Sequence, residues 1–440
     1  NPITYPYTYP ATNFAITWGA DNKLKTPYAE ALDFSIQREL KGGMTLEVAY
    51  VGRLGRHLLQ AIDLAEPVNY TDPQGGGNYF TNGAKLSALV DANGGDPTAS
   101  VPAIPYFEDI FPQLANYDYM GESATQAIYT NEWAPNRYQN GETTALADLD
   151  FYCNYTCPQS PRFWQSQFSS LYAWDSIGMS YYNAGQITLR HPLSHGLQAD
   201  FSYTLSKSID MGSDTERATE IGSNGSFSNI INTWNPSLNR GVSDFDTKHL
   251  ITFDWLYRLP FGRGQMYANS SNRLVDELIG GWQWSGVNRW TSGLPFSVNA
   301  PGWGTDWQIE SFAIQTAPVK IRKHLDQNGA PQVFDNVAAL NNGVTNGSPI
   351  RLAYPGEAGE RNAYRGDGYF DLDSGLSKTF KITERQGVKF AWEVFNVTNS
   401  ARFDVNPISF GTTLTTGNLG NYSALYTKPR VMQFSLRYDF

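Results

Sequence analysis

The last residues of the chain alternate without a break. Met432, Phe434, Leu436, Tyr438 and Phe440 are separated by Gln433, Ser435, Arg437 and Asp439. A period of two places apolar groups on one face and polar groups on the other, which predicts a β-strand over 429–440. The same period recurs at 386–398, where Val388, Phe390, Trp392 and Val394 interleave with Lys389, Ala391 and Glu393. It recurs at 368–380 (Phe370, Leu372, Leu376, Phe380), 278–292 (Trp282, Trp284) and 246–259 (Ile251, Phe253, Trp255, Tyr257). Upstream it marks 196–208, 180–191, 43–53 and 28–40, and a short tenth segment, 12–18, carries Phe14, Ile16 and Trp18.

Most of these segments reach the roughly 9–11 residues with which a tilted strand crosses an outer membrane, against about 5–6 for an average soluble strand. If successive strands run up and down, the connections on one side are 41–42, 192–195, 260–277 and 381–385. On the other side they are 19–27, 54–179, 209–245, 293–367 and 399–428. One set is mostly short and the other mostly long, as in bacterial outer-membrane barrels. A soluble antiparallel sandwich has no reason to sort its loops by side.

The pattern therefore predicts an all-β, antiparallel transmembrane β-barrel, with about ten strands here as part of a larger barrel. Short turns would be periplasmic and long loops extracellular. The 440 residues are read as one unit, the C-terminal part of such a barrel. Outer-membrane lipid would meet the apolar faces, because lipid cannot satisfy polar groups. The alternate faces carry Asp33, Glu47, Arg190, Asp200, Asp254, Arg258, Arg289, Asp371, Asp373, Lys389 and Glu393, predicted to form a mixed-charge, watered lumen wall. Small residues such as Ala29, Ser35, Ala49, Ser285 and Gly375 share these faces and leave space, so the barrel is expected to be wide. In that arrangement 12–18 pairs with a strand upstream and 429–440 with the barrel's first strand.

Composition sharpens this picture. Aromatic residues make up 14% of the chain and charged residues 17%, below the roughly 25% of soluble domains. That profile excludes intrinsic disorder. No apolar run approaches the roughly 20 residues of a membrane helix, and a mean hydropathy of −0.42 fits a barrel whose strands are half polar. The formal charge of −10 gives no basic footprint for nucleic acid, so none is expected as a partner. The chain opens on Asn1-Pro2, and the expectation is that it is processed or cut from something longer.

Several stretches resemble the barrel of Oar-type TonB-dependent receptors, outer-membrane proteins with an N-terminal carboxypeptidase-regulatory-like domain. They are TPYAEALDFSIQREL with TLEVAYVGRLGRHLLQ (26–60), YYNAGQITLRHPLSHGLQADFSYTLSKSID (181–210), RGVSDFDTKHLITFDWLYRLPFGRG (240–264), GGWQWSGVNRWTSGLPFSV (280–298), RNAYRGDGYFDLDSGLSKTFKITE (361–384) and FAWEVFNVTNSARF (390–403). The resemblance covers most of the chain outside the long loops. It implies a plugged barrel that takes energy through the TonB system and moves an unidentified substrate across the outer membrane of a Gram-negative-type bacterium. It also implies that Tyr438 and Phe440 belong to a terminal signal read by the outer-membrane assembly machinery. No plug, TonB-interacting segment or regulatory-like domain matches in these residues. A passive porin or adhesin is the alternative, and a soluble β-sandwich binding module a third.

Catalytic patterns are absent: there is no G-x-S-x-G, H-E-x-x-H or phosphate loop, so no enzyme activity and no cofactor are expected. Asp371 and Asp373 resemble an acid/base pair only in spacing. Asp148 and Asp150 with Glu142 offer hard oxygens but lack the glycine and terminal Glu of an EF-hand loop, so no metal site is assigned. Cys153 and Cys157 are a candidate loop disulfide. An unknown extracellular ligand would meet the long loops, since loops on a rigid scaffold carry recognition. Their aromatics include Tyr117, Tyr119, Trp133, Trp303 and Trp307. The same rings could instead pack a loop of this length upon itself.

Overall fold

Ten main strands order the molecule, and each coincides with one of the alternating segments. They are β1 (Ala15–Ala20), β2 (Tyr28–Glu39), β3 (Thr45–Asp63), β4 (Phe168–Ser194), β5 (Leu197–Asp210), β6 (His249–Arg258), β7 (Trp282–Thr291), β8 (Tyr369–Lys381), β9 (Gly387–Phe395) and β10 (Val431–Asp439). The computed structural model describes residues 14–116, 122–156, 162–213, 229–341, 347–405, 410–414 and 417–440. With the short piece Gly241–Val242, which pairs with β5, these strands form one eleven-stranded sheet. Nine of them, β2 to β10, follow in chain order, each antiparallel to the next.

The sheet is open. Its edges are β2 and β10, and every residue of both strands is exposed. β1 departs from expectation: it does not wait for an upstream strand but runs parallel to β4, with Trp18 opposite Tyr172 and Ala20 opposite Trp174. The cause lies in β4, which is 27 residues long and loses β5 as a partner at Ser180. Its backbone groups beyond that point need donors and acceptors, and β1 supplies them.

β3 and β4 also extend past their expected limits, so the first long connection is 64–167 and not 54–179. The alternation is hidden there because the pairing shifts register between Gly55 and Leu58 and again before Gln60, with His57 at a φ of 53°. A bulge inserts an unpaired residue and breaks the period of two.

Helices fill the first long connection. α1 (Tyr79–Ala92) starts at Asn78, whose side chain accepts from the Thr81 amide, and α2 (Glu142–Thr156) follows several shorter turns. Together they bury Tyr106, Phe107, Phe111, Tyr129 and Trp133 in one core. A second core joins Phe296, Phe334, Tyr364 and Phe410. The middle of the sheet has no such cover: Ile187 and Phe253 on one face and Val287 on the other are all exposed. A soluble sandwich would lay a second sheet over one of these faces.

Candidate functional site

Register brings all eleven predicted wall charges onto one face. Glu47, Thr188, Ser202, Thr252, Arg289 and Asp371 stand opposite one another across six strands. Two residues along, Thr45, Arg190, Asp200, Asp254, Val287 and Asp373 form the next row. Arg258 pairs with Gln283, Lys389 with Thr379 and Glu393 with Gly375 on that same face. The opposite face is mainly apolar: Phe434, Trp392, Leu376, Trp284, Tyr257 and Leu197 make one continuous row. One glycine serves this face directly. A Cβ on Gly286 would lie 2.3 Å from Trp255, whose ring lies over it and reaches Trp284 at 5.1 Å.

On the charged face Asp254, Asp373 and Glu393 border a cleft of about 460 Å³, with Ser285 and Gly375 between them. Asp373 accepts from the Asn396 amide at 2.8 Å, and Glu393 accepts from the Gln433 side chain. Asp371 accepts from the Tyr369 hydroxyl at 3.1 Å, while the Arg289 guanidinium lies 5.7 Å from the Tyr369 ring. At the far margin Arg53 bonds Asp33 at 2.8 Å. Asp200 directly faces Asp254, an arrangement that costs a sheet stability and suits a wall that water or a ligand screens. Asp371 and Asp373 follow one another along this face and have no nucleophile or histidine between them.

Where the strands enter the long connections, two arginines tie the loops together. Arg361, buried, donates to the carboxylates of Asp210 and, at 3.2 Å, Asp244. Arg365 donates to Asp246, whose other oxygen accepts from the Ser208 amide. These partners belong to the stretches 181–210, 240–264 and 361–384, so Asp244 and Asp246, before His249, hold loops in place. Sequence reasoning missed both arginines; the signal was two basic residues beside a strand start, facing an acidic pair about 120 positions away.

The aromatic candidates separate. Trp133 is fully buried and its indole donates to Ser87, so its ring packs the loop core and faces no solvent. Trp307 lies 5.0 Å from Trp303 and 6.1 Å from Trp164, half-buried like Trp303, and bridges the first and third long connections. Tyr117 and Tyr119 lie outside the described residues. Glu142 pairs with Arg137 and Ser87, whereas Asp150 caps the Phe163 and Trp164 amides and meets Arg162 at 3.3 Å. They do not converge on one point, and among the described residues no group of three His, Cys, Asp or Glu has metal-binding geometry. Cys153 is buried and disulfide-bonded; Cys157 lies outside the described residues. Tyr438 and Phe440 stack at 5.8 Å at the open edge of β10.

Beneath the loops lies a set of carboxyl groups that the sequence did not announce. Asp63, at the end of β3, accepts from the Ala65 and Leu171 amides through one oxygen. Asp306 accepts from the Trp307 amide and Glu66 from the Thr233 amide. All three are buried, and each keeps one oxygen without a donor among the described residues. Burial, with Asp63 and Glu66 close by, holds the Asp306 carboxyl well above the usual range. Burial likewise pushes Glu66 up to about 8. Glu66 therefore keeps its proton at neutral pH, and its bond with the Thr233 amide ties the end of β3 to the second connection.

The model of the outer membrane beta barrel domain matches residues 1–433. Solved structures with a similar course include the outer membrane transporter YddB from Escherichia coli, at 10% identity and a TM-score of 0.34, with 95% of this chain and 33% of that chain covered. They include the ferripyoverdine receptor of Pseudomonas aeruginosa, at 12% identity and a TM-score of 0.35 over 95% and 28% of the two chains. A third is the ferric-catecholate import receptor Fiu from Escherichia coli K12, at 8% identity and a TM-score of 0.33 over 98% and 31%. The chain spans about a third of the length of these proteins. No curated protein sequence matches it. With nine antiparallel strands in sequence order, one face charged and one apolar, the chain belongs to the outer membrane beta barrel domain family, and its place is the outer membrane.

Proposed function

We propose that this sheet is part of the wall of a TonB-dependent outer-membrane receptor of the Oar type, moving a substrate through a lumen lined by the charged face. The observation that carries the reading is register: eleven charged residues from eight strands fall on one face and long aromatic rows on the other. Such a sheet needs lipid on one side and water on the other. The long connections, packed and bonded to one another at one end, form the extracellular surface, where the half-buried Trp303 and Trp307 are the remaining recognition candidates. TonB coupling would act through a plug, which this sheet does not supply. The terminal Tyr438 and Phe440 would be read by the assembly machinery.

The test is conductance of the full-length protein in planar bilayers. A plugged receptor stays closed until mild urea releases the plug, and then conducts. A steady open channel without urea identifies the passive porin and overturns the TonB reading, while leaving the orientation of the wall in place.

A further inference from the structure

The connection between β6 and β7 is the longest at the short-turn end of the sheet, and it contains a helix that is inside out. α3 (Arg273–Ile279) starts at Asn272, whose side chain accepts from the Val275 amide. At 100° per residue, Leu274, Val275, Leu278 and Ile279 fall on one arc and Arg273, Asp276 and Glu277 on the other. The polar arc is the one held by the protein, because Asp276 accepts from the Arg263 amide of the preceding turn. The apolar arc faces out: Leu274 is 79% exposed and Leu278 70%, and no residue of the helix is buried.

Two side chains fix where this helix lies. The Trp282 indole donates to the Leu278 carbonyl at 2.8 Å, and the Lys378 ammonium donates to the Glu277 carbonyl. Trp282 and Lys378 stand opposite one another on the apolar face of β7 and β8, in line with Trp284 and Leu376. The Lys378 ammonium itself lies 5.8 Å from the centre of the Trp282 ring and 4.9 Å from that of Phe380, buried between the helix end and the aromatic rings of the sheet. The helix is therefore bonded to the outer, apolar face of the sheet at its short-turn margin. Its bare arc continues that face.

We infer that α3 is an interfacial anchor, lying in the headgroup region of the leaflet at the short-turn end with Leu274 and Leu278 inserted among acyl chains. The inference rests on the lipid-facing assignment of the apolar face. Lipid is the occupant because the arc is continuous with that face through Trp282 and Lys378, and because amphipathic helices of this build settle about 5–10 Å into the headgroup and acyl boundary.

The test places single cysteines at Leu278 and at the mid-strand Phe253 of the full-length protein, labels each with a nitrobenzoxadiazole dye, and reconstitutes it into vesicles containing brominated phosphatidylcholine. The expected result is quenching at both sites, with Leu278 favouring bromines near the headgroup and Phe253 favouring deep ones. Quenching at Phe253 with a solvent-like, unquenched dye at Leu278 overturns the anchor alone. A blue-shifted but unquenched dye at Leu278 also overturns it, by showing that protein covers the helix. No quenching at Phe253 overturns the lipid-facing assignment itself.

Discussion

Phe434 and Ser435 are neighbours with opposite surroundings. The Phe434 ring stacks on Trp392 with centroids 6.0 Å apart and belongs to the apolar row, whereas Ser435 pairs with Ala391 on the charged face. Phe434→Arg should therefore cost about 2–4 kcal/mol in urea unfolding from lipid if the residue lies near the midplane. Ser435→Arg should leave the midpoint nearly unchanged; equal effects would contradict the two-faced sheet. The buried carboxyl set makes a prediction of opposite character. When folded, Glu66 keeps its proton up to about pH 8 and burial raises Asp306 well above the ordinary range, whereas exposed carboxyls release theirs near pH 4. Between these limits the folded loops bind more protons than the opened ones, so loop stability falls as pH rises, by about 1.4 kcal/mol per unit for each such group. Asp306→Asn should flatten this slope between pH 5 and 8, read as hydrogen exchange at the Leu171 and Thr233 amides. An unchanged slope would remove Asp306 from the set.

At the scale of elements, strands were legible in the sequence and their surroundings were not. Alternation is a local property, so β2, β5, β6, β7, β8, β9 and β10 lie where single segments place them, and the charged residues follow their strands onto one face. The helices of the first connection were not legible, since the face α1 buries is Tyr79, Asn82, Gly83, Leu86, Ser87 and Val90. The spacing is helical, but two polar residues and a glycine interrupt its apolar period. Ser87 is there to bond Glu142 and Trp133. β1 was read as a strand but not as a parallel one, because its partner is set by the overhang of β4, a non-local fact. The same holds for Arg361, whose partners are more than a hundred residues away. Removing one side of a buried ion pair costs about 3–5 kcal/mol, as it leaves a charge without a partner. Arg361→Ala should therefore open the second and third connections to limited proteolysis while the strand amides of β5 and β6 stay protected. Protection lost equally in both would assign Arg361 to the sheet. At the other end, Phe440→Ala should lower the amount of protein in the outer membrane more than any ligand binding per molecule. Normal membrane levels with lost binding would exclude a role in assembly.

The whole sheet poses a question of parity. Nine strands, each antiparallel to the next, leave β2 and β10 running in the same direction. Joining them directly would create one parallel seam in an otherwise antiparallel wall, whereas single-chain bacterial barrels have an even number of antiparallel strands. An odd number of further strands between β10 and β2 resolves the conflict. The interior agrees, because Ala29, Ala31, Ser35, Ala49, Ser202, Ser285 and Gly375 share the charged face, and a nine-stranded barrel would need larger side chains to fill itself. Both edges are fully exposed here, and neither water nor a backbone partner is available to them in lipid. In the outer membrane, the full-length protein should show β2 and β10 amides as slow to exchange as those of β5. Oxidation of a Ser35→Cys, Ser435→Cys double variant should form no disulfide between these two positions of one chain. If these two cysteines join readily, β2 meets β10 directly, the barrel closes at nine strands with a parallel seam, and a narrow passive pore replaces the wide receptor.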